Sequence, residues 1–342
     1  MATADVTKNT ASAAGGSGSQ CIGVVVIGRN EGERLKRCLA SLEKSAGLIV
    51  YVDSGSTDGS VAMAQDRGVE VVALDMRTPF TAARARNAGF DRLRNVAPAL
   101  QYVQFVDGDC EVHSEWLAVA SRFMDQHPEV VVVAGRLREK HPEASVYNML
   151  CDLEWDAPAG ESKTCGGIAM MRAVAFAVVK GFNSALICGE EPELCSRLRN
   201  QGGKVWRLAN DMALHDANMM RVGQWWTRSV RAGYSFAQAT FVDASSSSGR
   251  GRHESLSALL WAFAIPMICA GAICAFGPYG VLTLFVYPFQ FLRITARGKR
   301  KFKDNCVRSF FLILGKFPEL QGQIKYRTER LMGRKSGLIE HK

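Results

Sequence analysis

The sequence lacks the cysteine patterns of zinc and redox sites, although it contains ten cysteines. No two of them form a C-x-x-C pair, and none has histidine neighbours at zinc-ligand spacing. Several, such as Cys38 and Cys269, lie within apolar patterns, where a thiol acts as a small hydrophobic side chain. We therefore expect reduced thiols, which places the soluble part of the chain in a cytosol.

Three familiar ligand-binding loops are also missing. The turn after the first apolar run reads GRNEGE at 28–33, which is not the G-x-G-x-x-G of a dinucleotide site, and no G-x-x-x-x-G-K-[ST] loop occurs anywhere. The acidic loop that begins at Asp53 fails as a calcium loop, because Asp58 stands where glycine is needed and Ala64 where the bidentate glutamate is needed. These absences exclude a dinucleotide fingerprint, P-loop ATP hydrolysis and an EF-hand.

Charged residues are absent from Ser255 to Leu292, a run of 38 positions. One membrane span needs about 20 apolar residues, so the run fits two short spans joined at Gly277–Gly280. Arginines precede the run and a basic cluster follows it, and positive charge on both flanks favours two crossings with both flanks in the cytoplasm. Pro266 and Pro288 leave a re-entrant arrangement open, and a buried helical pair of a soluble domain is the alternative.

Apolar residues make up 47% of the 342-residue chain, which excludes wholesale disorder. Residues 1–20 are Ser/Gly/Ala-rich without an apolar signal core, so we predict a disordered leader. From residue 21, short apolar runs alternate with segments in which apolar residues recur at helical spacing. The predicted strands are 21–28, 48–55, 69–75, 102–109 and 130–136, and the predicted helices between and after them are 32–46, 60–67, 81–94 and 113–127. This alternation predicts an α/β fold, a mostly parallel sheet with helices on both faces.

Two acidic segments follow predicted strands. Asp53 to Asp58 follows the second, and Asp107 and Asp109 end the fourth. Ligands of such sheets bind beyond the carboxyl ends of the strands. Two carboxylates separated by one glycine either bind a divalent metal such as Mg²⁺ or Mn²⁺, or form an ordinary acidic turn.

A third acidic segment, GEEPELC at 189–195, predicts the start of a helix. Pro192 then suits the first helical position, and Glu190, Glu191 and Glu193 lie near the positive end of the helix dipole. Complementing that dipole is the purely structural interpretation of these acids.

The ordered motifs VVVIGRNEGERL, VDSGSTDGS, ARARNAGF, FVDGD, GGIAMMR and GEEPELCSRLRNQG resemble the inverting family 2 glycosyltransferases of GT-A fold. The resemblance covers about residues 21 to 240, and the hairpin with its basic tail is similar to bacterial members that build exopolysaccharide or lipid-linked glycans. It implies a catalytic domain at 21–245, a transmembrane hairpin at 255–294 and a basic cytoplasmic or interfacial tail at 295–342.

The resemblance also implies roles for individual residues. Asp107 and Asp109 match the D-x-D motif, which implies a ribose contact for the first and a metal ligand, Mn²⁺ or Mg²⁺, for the second. His215 completes the metal site. Glu191 is the general base, with Glu190 beside it as the other candidate. The expected donor-binding residues are Asn30, Glu31, Asp53, Ser54, Arg84, Arg86, Asp107, Gly166 and Gly167.

Two positions depart from the family pattern. Ser54 replaces an aspartate after the second strand, which puts recognition of the nucleotide base in doubt, and Glu191 replaces the aspartate of an E-D motif. On the acceptor side, Gln224, Trp225, Trp226 and Arg228 form a weak version of a Q-x-x-R-W motif. A helix that packs two tryptophans at a membrane surface is the alternative.

The predicted function is therefore metal-dependent transfer of a sugar from a nucleotide-sugar donor to a glycan or lipid-linked acceptor. We expect the catalytic domain in the cytoplasm, at the inner membrane and in contact with its lipid. The alternatives are a sugar nucleotidyltransferase and a catalytically silent membrane-bound binding module. No nucleic-acid partner is expected, because membrane anchoring accounts for the basic cluster.

Overall fold

One mixed sheet of nine strands lies at the centre of the computed structural model, which describes residues 22–242 and 250–333. The strands are β1 (Ile22–Gly28), β2 (Leu48–Asp53), β3 (Glu70–Ala73), β4 (Tyr102–Asp107), β5 (Cys110–Val112), β6 (Val130–Glu139), β7 (Gly160–Ser162), β8 (Ala169–Arg172) and β9 (Lys204–His215). Their order is β3-β2-β1-β4-β8-β6-β9-β5, and β7 pairs with β9. The predicted leader at 1–20, residues 243–245 and the end of the tail at 334–342 lie outside the described residues.

The strands β3, β2, β1 and β4 are parallel to one another, as their Val- and Ile-rich sequences predict. β8 then runs antiparallel to both β4 and β6, and β5 and β7 run antiparallel to β9. β5, β7 and β8 have only three or four residues each, too few to show a periodicity. The α/β prediction is confirmed, and the antiparallel strands complete the sheet.

Helices cover both faces of this sheet. The helices of the described residues 22–242 are α1 (Glu33–Leu42), α2 (Ser60–Asp66), α3 (Ala82–Val96), α4 (Trp116–Gln126), α5 (Val146–Trp155), α6 (Ala173–Val178), α7 (Glu190–Asn200) and α8 (Val222–Val242). Leu35, Leu39 and Leu42 of α1 share one buried face and pack with Trp116 of α4 in one core layer. The second layer, on the opposite face, contains the ring of Phe90 and side chains of α6 and α7. Each fully buried Leu contributes about 1.5–3 kcal/mol, so the two layers fix the strand ends firmly.

The register of the sheet brings the polar strand ends together. Gly28 pairs with Asp53, and Ile27 pairs with Asp107, so the two aspartates flank the end of β1. His215 at the end of β9 pairs with Cys110 on one side and with Glu139 on the other. The acidic residues and the histidine therefore meet at one region of the sheet.

The C-terminal helices form a unit that packs on α5 and α8. They are α9 (Arg250–Leu259), α10 (Ile265–Phe276), α11 (Val286–Arg297), α12 (Phe302–Leu314) and α13 (Lys316–Leu331), with a π-helical turn at Leu260–Ala264 and a 3₁₀ segment at Gly277–Phe285. Trp225 of α8 packs against Tyr147 of α5 and Phe311 of α12. This aromatic cluster joins the sheet-containing part of the chain to the C-terminal helices.

The apolar run folds back on itself at Gly277, which has a left-handed backbone with φ of +57°. A Cβ on Gly280 would lie 2.3 Å from the carbonyl oxygen of Ala272, so only glycine permits this close approach. The hydroxyl of Tyr287 donates to the carbonyl of Trp261 at 2.8 Å and joins the two limbs. We call residues 255–294 the apolar hairpin.

This region contains a helical stretch, Gly251–Arg297, that is long and apolar enough to cross a membrane, and only 6% of its most apolar window is buried. This exposure does not fit the alternative that the apolar run forms a buried helical pair of a soluble domain. Insertion of the hairpin into a membrane stays a prediction.

Candidate active site at the carboxyl edge of the sheet

The first part of the site is a carboxylate–imidazole pair. Oδ1 of Asp109, which follows β4, lies 3.6 Å from Nε2 of His215 at the end of β9. The Asp109 side chain is almost completely buried and that of His215 is partly exposed. The imidazole ring also packs against Trp155, with 4.7 Å between ring centroids. An oxygen and an imidazole nitrogen at this separation can share one divalent cation, as the sequence predicts.

Glu139 lies behind this pair and was missed by the sequence analysis. Its Oε2 is 3.9 Å from Nδ1 of His215, and the Glu139 side chain is fully buried. The backbone N–H groups of Ala217 and His141 and the amide of Asn148 also donate to the Glu139 carboxylate. This carboxylate therefore lies beside Nδ1 of His215, too far for a direct hydrogen bond, while its own oxygens are held by these three donors.

The second part of the site is a buried ion triad. Arg86 of α3 donates to Oδ1 of Asp107 and to Oε1 of Glu190, both at 2.8 Å. Burial alone would lower the pKa of Arg86, but the two carboxylates outweigh it and the pKa is raised. The guanidinium also lies over the ring of Phe182, 5.5 Å from its centroid. Arg86 thus connects the end of β4 to the first turn of α7.

Gly166 and Gly167 lie next to this triad. A Cβ on Gly167 would be 3.1 Å from Nη2 of Arg86 and 3.4 Å from Oδ2 of Asp107. Gly166 has no atom within 4 Å of such a Cβ, but its backbone is left-handed, with φ of +87°. Gly167 therefore leaves space beside Arg86 and Asp107, whereas Gly166 permits a backbone conformation that other residues rarely adopt.

Glu191, the predicted base, lies in the first turn of α7 and is buried. The backbone N–H of Cys165 and the thiol of Cys195 both donate to its Oε1, the thiol at 3.1 Å. Burial raises the pKa of Glu191 above the ordinary glutamate range, although these donors act in the opposite direction. The Sγ atoms of Cys165 and Cys195 are 3.6 Å apart. Sequence reasoning missed both cysteines, because neither belongs to a spacing pattern.

Asn30 joins the loops after β1 and β2. Its backbone N–H donates to Oγ of Ser56, and its side-chain oxygen accepts from the N–H of Thr57 at 2.7 Å. Asp53 accepts from Tyr51 and from the N–H groups of Gly55 and Ser56, each at 2.9 Å. These hydrogen bonds fix the conformation of the loop after β2.

The predicted donor residues beside this loop differ in access. Glu31 is buried and pairs with Arg34 at 2.7 Å. Ser54 is fully buried and donates its N–H to Gly28, so its hydroxyl is not on the surface of the cleft. Arg84 donates to the carbonyls of Asp75, Thr78 and Pro79 and stabilises the loop before α3. Donor contact stays a prediction for all three residues.

The residues predicted on the acceptor side lie at the start of α8 and have structural partners. Gln224 accepts from the N–H groups of Met220 and Arg221 and caps the helix. Trp225 is buried in the aromatic cluster, and Nε1 of Trp226 donates to Gln321 of α13. The alternative of two tryptophans at a membrane surface therefore does not fit Trp225. Arg228 pairs with Glu154 at 2.8 Å, and this carboxylate raises the pKa of Arg228.

Residues 23–164, about two fifths of the chain, match the family model for glycosyl transferase family 2. A TPR repeat-containing protein of Synechococcus elongatus is 35% identical over 63 residues, which are 18% of this chain and 16% of that protein.

Solved structures give a second comparison. The mannosyltransferase PcManGT from Pyrobaculum calidifontis, in complex with GDP-Man and Mn²⁺, is similar with a TM-score of 0.54 and 15% identity, over 92% of this chain and 87% of that chain. TarS from S. aureus has a TM-score of 0.49 and 13% identity, over 92% of each chain. Glucosyl-3-phosphoglycerate synthase from Mycobacterium tuberculosis has a TM-score of 0.46 and 17% identity, over 64% of this chain and 78% of that chain. At these identities, the likeness to PcManGT shows a shared fold.

Proposed function

Because residues 23–164 match the family model for glycosyl transferase family 2 and the sheet has the GT-A fold, we propose that this chain is a metal-dependent, inverting glycosyltransferase. It moves a sugar from a nucleotide-sugar donor to a glycan or lipid-linked acceptor at the cytoplasmic face of the membrane. The observation that carries the proposal is the meeting of Asp109, His215 and the Arg86 triad at the strand ends beside a buried glutamate.

Asp109 and His215 fit a divalent cation. Mn²⁺ accepts both carboxylate oxygen and imidazole nitrogen, while Mg²⁺ prefers oxygen and retains waters. When bound there, the cation supplies positive charge that stabilises the leaving nucleoside diphosphate. The Mn²⁺ and GDP-Man bound by PcManGT support this assignment.

Glu191 is the better candidate for the general base. Glu190 is already paired with Arg86, so its negative charge is neutralised within the triad. Glu191 has no cationic partner in the described residues 22–242 and 250–333, and its raised pKa makes its carboxylate a stronger base. It can therefore accept the proton of an acceptor hydroxyl that attacks the anomeric carbon. Attack from the side opposite the leaving group inverts that carbon.

Arg86 and Asp107 position the donor. The Asp107 side chain keeps about a third of its surface exposed while one of its oxygens is held by Arg86. Its other oxygen is then available to a ribose hydroxyl, and Gly167 leaves the space for that approach. The loop held by Asn30 and Asp53 lies at the adjacent strand ends and forms the nucleotide side of the cleft.

The apolar hairpin supports a location of this site at a membrane. Exposed apolar side chains occur along both limbs, including Ile268 and Phe276 on one limb and Phe285 and Phe289 on the other. In water such a surface would favour aggregation, whereas it is compatible with lipid. Basic residues on both flanks favour a cytoplasmic catalytic domain.

The test uses the full chain in nanodiscs with a panel of UDP- and GDP-sugars and Mn²⁺. If the chain is a glycosyltransferase, free nucleoside diphosphate should be released. This release should require the cation and should be lost in Asp109→Asn. A sugar nucleotidyltransferase would instead exchange labelled diphosphate into a nucleoside triphosphate. Donor binding without turnover, unchanged in Asp109→Asn, would favour the silent binding module and contradict the proposal.

A further inference from the structure

A cavity of about 1300 Å³ lies between the sheet-containing part of the chain and the C-terminal helices. Side chains of α5, α8, α12 and α13 surround it, together with the segment at 297–300 after the apolar hairpin. It is separate from the Asp109–His215 pair, and neither residue lines it. The function proposed above leaves this space unassigned.

The cavity carries an excess of positive charge. Its basic lining residues outnumber its acidic ones, nine to five. Three are neutralised: Arg228 by Glu154, Arg300 by Asp156, and Lys316 by Glu254 and Glu319. The other basic residues form no ion pair within the described ranges 22–242 and 250–333, and they are Lys163, Arg199, Arg231, Arg297, Lys299 and Arg308. Arginine forks of this kind match the geometry of phosphate oxygens.

Both ends of the apolar hairpin reach this cavity. Gly251 and Glu254 precede the first limb, and Arg297 and Lys299 follow the second. The exposed apolar surface of the hairpin therefore continues into a cationic space. A molecule with an apolar tail and an anionic headgroup fits both surfaces at once, and a soluble anion would use only one of them.

The cavity also shares a wall with the proposed base. Lys163 and Thr164 line it and immediately precede Cys165, whose N–H donates to Glu191. Gly189 and Pro192 line it too and flank the two glutamates at the start of α7. A group attached to a headgroup in the cavity would therefore begin next to the catalytic acids.

We propose that this cavity binds the phosphate or diphosphate group of a lipid-linked acceptor, with Arg231 and Arg308 among its ligands. The inference rests on the proposed function and deepens it by assigning the chemical class and location of the acceptor. The lipid tail lies along the apolar hairpin, and the phosphate occupies the cationic cavity. The sugar to be extended then points toward Glu191.

The experiment measures binding to the full chain in neutral detergent, with EDTA present so that no cation recruits diphosphate to Asp109. Three probes are titrated by calorimetry: geranylgeranyl diphosphate, geranylgeraniol and inorganic diphosphate. We expect the lipid diphosphate to bind at least about tenfold more tightly than either other probe, because only it uses both surfaces. Loss of two charged contacts in Arg231→Gln/Arg308→Gln should weaken it by about tenfold or more, equivalent to about 1.4 kcal/mol.

Arg327→Gln is the matched control, since Arg327 is an exposed arginine of α13 that does not line the cavity. Equal binding of geranylgeraniol would mean simple partition into the apolar hairpin, and equal binding of inorganic diphosphate would mean a site for a soluble anion. Either result, or an unchanged double variant, overturns the inference. Donor turnover is measured separately with Mn²⁺, so failure of the proposed function is distinguishable from failure of the lipid site.

Discussion

Nε2 of His215 lies 3.6 Å from Oδ1 of Asp109, although more than a hundred residues separate them in the sequence. The antiparallel pairing of β5 with β9 brings them together, because Cys110, next to Asp109, pairs with His215. Oε2 of Glu139 lies 3.9 Å from Nδ1 of the same imidazole ring. The pair is thus positioned by the sheet itself.

His215→Ala should weaken Mn²⁺ binding by more than the roughly 10- to 100-fold that loss of an outer-shell partner costs, because we propose His215 as a direct ligand of the cation. Calorimetry with Mn²⁺ and a nucleoside diphosphate measures the change. His113→Ala is the control, since His113 is exposed and forms no ion pair among the described residues. Equal Mn²⁺ affinity in the two variants would contradict the metal assignment.

The pH dependence of kcat/KM should report Glu191, the proposed general base. Burial raises the pKa of Glu191, so the rate should fall as pH decreases through a value above the ordinary glutamate pKa of about 4.3. The Cys195 thiol stabilises the ionised form. Cys195→Ala should therefore raise this pKa further and move the acid limb to higher pH, whereas Cys195→Ser retains a donor and should move it less.

A pH–rate profile of the parent chain, Cys195→Ser and Cys195→Ala checks whether the pH of the acid limb increases in that order. Glu191→Gln should remove the acid limb together with nearly all transfer. An acid limb that is the same in the alanine variant and the parent chain would mean that Cys195 does not act on the base.

Gly166 and Gly167 should respond differently to alanine. Gly167→Ala places a Cβ 3.1 Å from Arg86 and 3.4 Å from Asp107, so it should raise KM for the donor by obstructing the approach to Asp107. Gly166→Ala meets no atom within 4 Å, and it should instead cost about 1 kcal/mol of stability through its left-handed backbone. Donor kinetics and urea unfolding of both variants separate the two effects. A larger kinetic defect in Gly166→Ala than in Gly167→Ala would contradict this assignment.

A single arginine should disturb membrane association through the apolar hairpin. Ile268→Arg changes a side chain that is 65% exposed, and a charge at the centre of a span costs about 2.5–3.5 kcal/mol on insertion. Val174→Arg changes a side chain of α6 that is 72% exposed, far from the hairpin in sequence, and serves as the control. Membrane fractionation should show a larger soluble or degraded fraction for Ile268→Arg alone. An equal distribution of the two variants would show that this face of the hairpin is not in lipid.

Local sequence was sufficient for the parts of the site that lie at the ends of regular strands. Asp107 and Asp109 follow a Val- and Phe-containing run, and parallel strands end at the same edge, so their position could be predicted. Glu191 could be placed near the positive end of a helix, although the helix begins at Glu190, two residues before the predicted start at Pro192. In each case the signal lies within about ten residues.

The remaining residues depend on long-range pairing. Glu139 meets His215 only through the irregular register between β6 and β9, which contains several shifts. Cys165 and Cys195 meet at Glu191 because a loop before β8 packs on α7. Trp225 is buried because α12 returns to cover α8, although its sequence position equally predicted a membrane surface. No local pattern encodes such contacts.

Arg86 is the shared cation of two carboxylates that belong to separate structural elements, β4 and α7. Positions 86, 107 and 190 therefore form an electrostatic unit whose members are best exchanged together. A chimera that takes α7 from a relative with an uncharged residue at position 190 would leave Arg86 and Asp107 as a simple pair and alter how firmly the helix is tethered. Engineering of acceptor preference through α7 should accordingly start by matching residue 86 to the incoming helix.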